Sequence, residues 1–156
     1  MPKLSTDISR APEQVSLEER NKRAEQALAI RFDALNQLFS QAEQLLKALK
    51  PPHPVWHFFN FNSEVEGMAT CEMIGIAKHH DKWRICHAYD YEDSDGNPEI
   101  TPIIERPVDI RIGAAGEIRQ LHEKIVEAKE QYIPKVEQAI MALNEACALA
   151  KAKGVK

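Results

Sequence analysis

A chain of 156 residues, 44% hydrophobic and 28% charged, is long enough for one domain with a sizeable core and lacks the bias of a disordered or fibrous protein. The net charge of -4 is concentrated in the middle: residues 51–112 carry 5 Lys/Arg against 11 Asp/Glu, whereas residues 1–50 carry 8 against 7 and residues 113–156 carry 7 against 6. A nucleic acid docking on that middle segment would need basic side chains for its phosphates, so the sign argues against a nucleic-acid partner.

The opening residues hold no apolar run resembling a secretory signal, and nowhere do eighteen apolar residues follow one another. The expectation is a cytoplasmic protein with no membrane partner. Cys71, Cys86 and Cys147 are odd in number and widely spaced, which fits reduced thiols better than a disulfide framework or a zinc site.

Residues 1–15 read as a flexible arm, and residues 16–156 as a single domain made of a helix (16–50), a sheet (54–112) and a second helix (114–153). Ser16 and Glu19 have capping-box spacing, in which the hydroxyl takes the N–H of Glu19 and the carboxylate reaches back to that of Ser16. Beyond them Ala24, Leu28, Leu35, Ala42 and Leu49 recur at near-heptad spacing, flanked by Phe32, Leu38, Phe39, Leu45 and Leu46. That stripe is broader than a two-stranded coiled-coil seam and must be buried against more than one neighbour. Pro51 and Pro52 end the helix. At 1.5 Å per residue it is about 50 Å long, longer than a nine-residue strand of roughly 30 Å.

Four strands follow: Val55 to Asn62, Met68 to Lys78, Trp83 to Glu92, and Ile100 to Ile112, the last broken by prolines. Short connections favour an antiparallel meander, with His79–Lys82 and Asp93–Pro98 as hairpin loops. Pro102 and Pro107 cannot donate to a ladder, which makes the fourth strand an edge. Side-chain parity then puts Thr70, Glu72, Ile74 and Ile76 on one face with Trp83, Ile85, His87, Tyr89 and Tyr91. Ala69, Cys71, Met73, Gly75 and Ala77 share the other with Arg84, Cys86 and Ala88, small residues that let a helix backbone come close. The first strand is apolar on both sides, so neither face is built for water.

The closing helix carries Ile118, Leu121, Ile125, Tyr132, Val136, Ala139, Ile140, Leu143, Ala146 and Cys147 at helical spacing. Pro134 removes one of its hydrogen bonds and clashes with the carbonyl of Glu130, so a kink or a break is expected near Tyr132. The fold class is therefore α+β: a four-stranded antiparallel meander flanked by a long N-terminal helix and a long, Pro-kinked C-terminal helix.

Catalytic motifs are weak. Asp93 to Gly96 resembles part of a calcium loop, but its first and twelfth ligand positions fall on Tyr91 and Pro102. His79, His80 and Asp81 are consecutive in a turn and do not converge on one ion as metal ligands must. Cys86 and His87 alternate across the sheet and cannot form a dyad. The cluster with chemical potential is Glu72, His87, Tyr89 and Tyr91 with Trp83: a carboxylate beside an imidazole, framed by aromatic walls, suited to a small-molecule cleft or to simple acid/base work. The favoured reading of the same residues is a hydrogen-bonded cross-strand ladder under the helices. No cofactor or metal is expected. The leading functional expectation is a non-enzymatic protein–protein interaction or assembly module, a homodimer self-associating through its helices or a sheet face. The alternative is a small-molecule-binding or acid/base protein centred on Glu72 and His87.

Overall fold

The structure, a computed structural model, describes residues 15–65, 68–91 and 98–154. The elements are α1 (Leu17–Ala48), β1 (Val55–Val65), β2 (Met68–His79), β3 (Lys82–Tyr91), β4 (Thr101–Pro102), a 3-10 turn (Ile103–Glu105), α2 (Val108–Ala115) and α3 (Ile118–Ala152). The four strands pair antiparallel in sequence order, giving the α+β meander with long N- and C-terminal helices that the patterning predicts. The arm expected over residues 1–15, apart from Val15, and most of the loop expected at Asp93–Pro98 lie outside the described residues. The chain divides into two compact units, one up to Leu35 and one from Asn36 onward.

In the first unit the Ser16 hydroxyl accepts the N–H of Glu19 at 3.2 Å, half of the capping box. The other half is not made: the Glu19 carboxylate turns outward to Arg23, 2.6 Å away one turn on. Both partners are exposed, so the pair adds little stability.

In the second unit α1 ends as its prolines dictate. The N–H groups of Leu49 and Lys50 fall back on the carbonyls of Leu46 and Lys47, and Lys50 turns left-handed (φ 51°) immediately before Pro51. Phe39, Glu43 and Leu46 share one stripe of this helix, and the two apolar members are buried. Glu43 is the polar member. Its Oε2 accepts the backbone N–H of Ile85 at 2.9 Å and the Arg84 Nε–H at 3.1 Å, while Oε1 accepts from Lys47 at 2.9 Å. Burial alone raises its pKa, but the three donors outweigh it and hold the carboxyl below its ordinary value.

The β2–β3 hairpin turns on His80 and Asp81, both left-handed (φ 48° and 62°), as a two-residue turn of the hairpin-compatible hand requires. Its register pairs Glu72 with Tyr89, Ile74 with His87 and Ile76 with Ile85. On β1, His57 lies opposite Ile74 and Phe59 opposite Glu72, before the register shifts between Phe59 and Ser63. These residues share one face, and its centre, Ile74, Ile76, Ile85 and His87, is fully buried. The first turns of α3 lie along β1, burying Leu121 and Ile125 completely. Each such side chain removed from water contributes about 1.5–3 kcal/mol.

The opposite face corrects one expectation. Gly75 does not admit a helix backbone; its cross-strand partner Trp56 lies over it. A Cβ on Gly75 would meet two indole carbons at 2.4 and 2.6 Å and the Val55 carbonyl oxygen at 2.6 Å. The large neighbour on the adjacent strand fills the space that small residues leave.

The last strand is a second correction. Only Thr101 and Pro102 pair with β3, and residues 108–112, read as strand, open α2 instead. The Val and Ile content there suggests strand, but the prolines decide. Pro102 ends the ladder, and Pro107 at the N-cap position needs no N–H partner as a helix begins. Arg111 then donates to Asn36 of α1, and Ala114 is buried. The closing helix accordingly starts at Ile118, after Gly116 and Glu117. Pro134 does not break it: α3 continues as one helix of 35 residues.

Two substitutions probe this packing. Glu43→Ala leaves the Ile85 N–H and Arg84 without their acceptor and should lower the unfolding free energy by about 1–3 kcal/mol in urea titration. Gly75→Ala should lower the urea midpoint by an amount corresponding to about 1–3 kcal/mol with an unchanged slope, because the Trp56 ring and the Val55 carbonyl must shift to admit a methyl group.

Candidate functional site

The polar residues of the helix-covered face gather at the β1–β2–β3 centre. His87, fully buried, places Nε2 3.3 Å from Glu72 Oε1 on the diagonal between paired strands. With its proton on that nitrogen, the imidazole donates to the carboxylate. The other Glu72 oxygen accepts from the Asn60 side-chain amide. Asn60 reaches it from the irregular part of β1, where it adopts a left-handed conformation (φ 49°) that asparagine tolerates better than most residues. Phe59 stands between two imidazoles, stacked on His57 and edge-on to His87, each with centroids 6.5 Å apart. His57 Nε2 meets Glu117 Oε2 at 2.9 Å, tying β1 to the start of α3. Tyr89 packs edge-on against His87 at 4.9 Å and lies 6.4 Å from Tyr91. The Arg106 guanidinium stands 5.9 Å over the Tyr89 ring.

Of the five residues singled out from the sequence, Glu72, His87, Tyr89 and Tyr91 come together. Trp83 does not join them. It lies near the other end of β3, with the Lys78 ammonium 5.9 Å from its ring. His57, Asn60, Arg106 and Glu117 were not anticipated. An asparagine interrupting an otherwise apolar aromatic strand is a usable signal for one of them, and strand parity is one for His57, two residues before Phe59 on β1; Arg106 and Glu117 come from distant segments with no local pattern.

Burial drives the His87 pKa below its ordinary value, the positive charge of Arg106 lowers it further, and Glu72 only partly opposes both. The imidazole is therefore neutral at pH 7. Burial, followed by the charge of Glu72, raises the Tyr89 hydroxyl pKa. A neutral imidazole is the right state for a general base, but this one is engaged on one nitrogen and shielded from solvent. Its Nδ1 is buried without a hydrogen-bond partner among the described residues. The arrangement links three strands across one face.

Two of the thiols, Cys71 and Cys86, are chemically quiet. Burial pushes Cys86 up to about 11 and also raises Cys71, so neither is a nucleophilic thiolate at neutral pH. His79 and His80 sit ring to ring at 4.2 Å on the hairpin tip. No group of three His, Cys, Asp or Glu side chains among the described residues is placed to hold a metal ion. The residues of the calcium-like segment, Asp93 to Gly96, lie outside the described residues. No described helix is long and apolar enough to cross a membrane. Comparison of the chain with protein-family models, with curated proteins and with solved structures gave no match.

The His87 environment has a pH signature. The folded state holds the imidazole neutral, whereas the unfolded chain protonates it near pH 6.5. Its contribution to stability is thus complete above pH 6.5 and declines as pH falls from there toward the depressed folded pKa. Urea titrations across this range should show that decline, and a smaller one in His87→Gln. At pH 7, His87→Ala should cost about 1–3 kcal/mol; an unchanged melting transition would show that the residue does not brace the sheet.

Proposed function

We propose that the chain is a non-enzymatic protein–protein interaction or assembly module that self-associates through its helices. One observation carries this reading: α3 is exposed at every residue from Lys129 to Ala152. That stretch of 24 residues extends about 36 Å and displays Tyr132, Ile133, Val136, Ile140, Met141, Leu143 and Leu149, each 40–65% exposed. Helices in water depend chiefly on burying an apolar face, and a contiguous apolar surface of this length marks an interaction site. A second copy is the simplest partner, because two-fold symmetry pairs like surfaces.

Small-molecule or acid/base work at Glu72 and His87 is the second reading, favoured by the unpartnered Nδ1 of His87. It ranks below the first because His87 itself has no exposed surface. A ligand acting there would protect His87 from protonation and shift its NMR titration, whereas a partner bound along α3 would not.

Light scattering behind a sizing column tests the first reading. The expected result is a concentration-dependent mass approaching twice 17.7 kDa. Replacing both Ile140 and Leu143 by Glu should return the chain to monomer without lowering the urea stability of the sheet, since both side chains are exposed in the single chain. A monomeric mass for the unaltered protein at high micromolar concentration overturns the reading.

A further inference from the structure

We propose that the exposed part of α3 pairs antiparallel with the same segment of a second copy, over residues 130–151. The proposal rests on the self-association put forward above and supplies its geometry. Ile133, Val136, Ile140, Leu143, Cys147 and Ala150 follow one another at steps of three and four, the a and d positions of consecutive heptads. All six are exposed. The preceding d position is Lys129, whose ammonium donates to the Leu49 carbonyl at 2.9 Å, so the seam begins beyond it. Pro134 falls at a b position on the outer side, where its ring and its missing N–H leave the seam undisturbed.

Charge fixes the direction. The e positions are Glu130, Glu137, Asn144 and Lys151. In an antiparallel pair, with Ile140 against the partner's Leu143, e positions face e positions. Glu130 then lies opposite the partner's Lys151 and Glu137 opposite the partner's Asn144, each contact made twice by the two-fold axis. The g positions bring Ala139 against the partner's Ala146, small residues that let the helices close together. A parallel pair gives none of these charge contacts: it sets Glu137 against an Ala or Tyr flank and gathers Lys151 and Lys153 of both copies at one end. It also aligns the helix dipoles, which the antiparallel pair opposes.

The base of the exposed segment fits the same arrangement. A groove of about 370 Å³ runs between Pro52, in the link from α1 to β1, and Tyr132, Ile133 and Val136. Antiparallel overlap places the partner's Ala150 against Ile133 and the partner's Cys147 against Val136, so the partner's last turns enter that groove.

Cys147 is a native probe of direction. Antiparallel pairing sets the two Cys147 residues about 16 Å apart along the axis, too far to bridge; parallel pairing stacks them in one layer. Oxidising the native dimer with copper-phenanthroline should therefore give no covalent dimer through Cys147, and Val136→Cys in a Cys147→Ser background should give none either. Val136→Cys with Cys147 retained should cross-link. As a measurement independent of thiol chemistry, Glu130→Lys should weaken the dimer about three- to tenfold, and adding Lys151→Glu should restore it. A Cys147–Cys147 disulfide in a native dimer, no cross-link from the Val136→Cys and Cys147 combination, or no rescue by Lys151→Glu would overturn the antiparallel arrangement while leaving self-association intact. A monomeric mass would overturn both.

Discussion

The structure depends on how the outer edge of β3 is closed. Among the described residues β4 pairs with it only at Cys86 and His87, so from Ile85 back to Lys82 the ladder lacks a fourth strand. An unpaired backbone N–H at a sheet edge invites another chain, and one buried without an acceptor costs about 1–3 kcal/mol. Glu43 answers both problems at once. Its carboxylate takes the Ile85 N–H and holds Arg84 beside it, anchoring the second half of α1 to the strand. Ala42 and Leu45 of that half, with Leu49 just beyond it, line an apolar cavity of about 490 Å³ together with Ile118 and His122. At the opposite edge α3 lies along β1. The two helices thus engage the sheet by different means, one through a buried carboxylate and the other through Leu121, Ile125 and the His57–Glu117 contact.

Much of this was legible because strand parity is rigid. Once the His80–Asp81 turn is located, every side chain of β2 and β3 has an assigned face, and the observed register of Glu72 with Tyr89 and Ile74 with His87 follows. Helix limits marked by Ser16 and by Pro51 with Pro52 were equally readable, since caps and prolines act locally. Residues 103–112 were not. Their Ile and Val content favours a strand, yet the structure obeys the prolines, which end one element and open the next. The Trp56–Gly75 contact and the Glu43–Ile85 bond were beyond reach for a different reason: each joins segments whose relative placement no local pattern encodes.

The polar cluster illustrates the difference between proximity and chemistry. Parity brought Glu72, His87, Tyr89 and Tyr91 to one face, but not which atoms would be shielded. Catalysis by an imidazole needs a proton path to substrate, whereas His87 spends one nitrogen on Glu72 and has no exposed surface. Asn60 and Arg106, which decide the hydrogen bonding and charge around that pair, come from a strand irregularity and from the link between the 3-10 turn and α2. Such residues are visible only once the chain is folded. What they produce is a low imidazole pKa in a packed sheet centre, a state that burial alone favours and that requires no substrate.

The exposed part of α3 stands at the opposite extreme. Pro134 deprives the Glu130 carbonyl of its helical donor and costs a helix interior about 3 kcal/mol relative to alanine. Beyond Ala128 the helix buries no residue to offset that loss. The alanines at 139, 142, 146, 148, 150 and 152 support helix by intrinsic propensity, but propensity alone leaves a helix of this length marginal in water. Two of these alanines, Ala139 and Ala146, keep one flank of the Ile133 to Ala150 stripe thin, which favours close approach of a second helix. An apolar seam on a helix weakened at its root links helix formation to association: each side chain buried by a partner also stabilises the segment that presents it. Pro134 therefore belongs with the seam. Lying on the outer side, it penalises the helix equally whether the seam is bare or covered, so any surface that covered the seam would have to offset that loss before adding net stability to the segment.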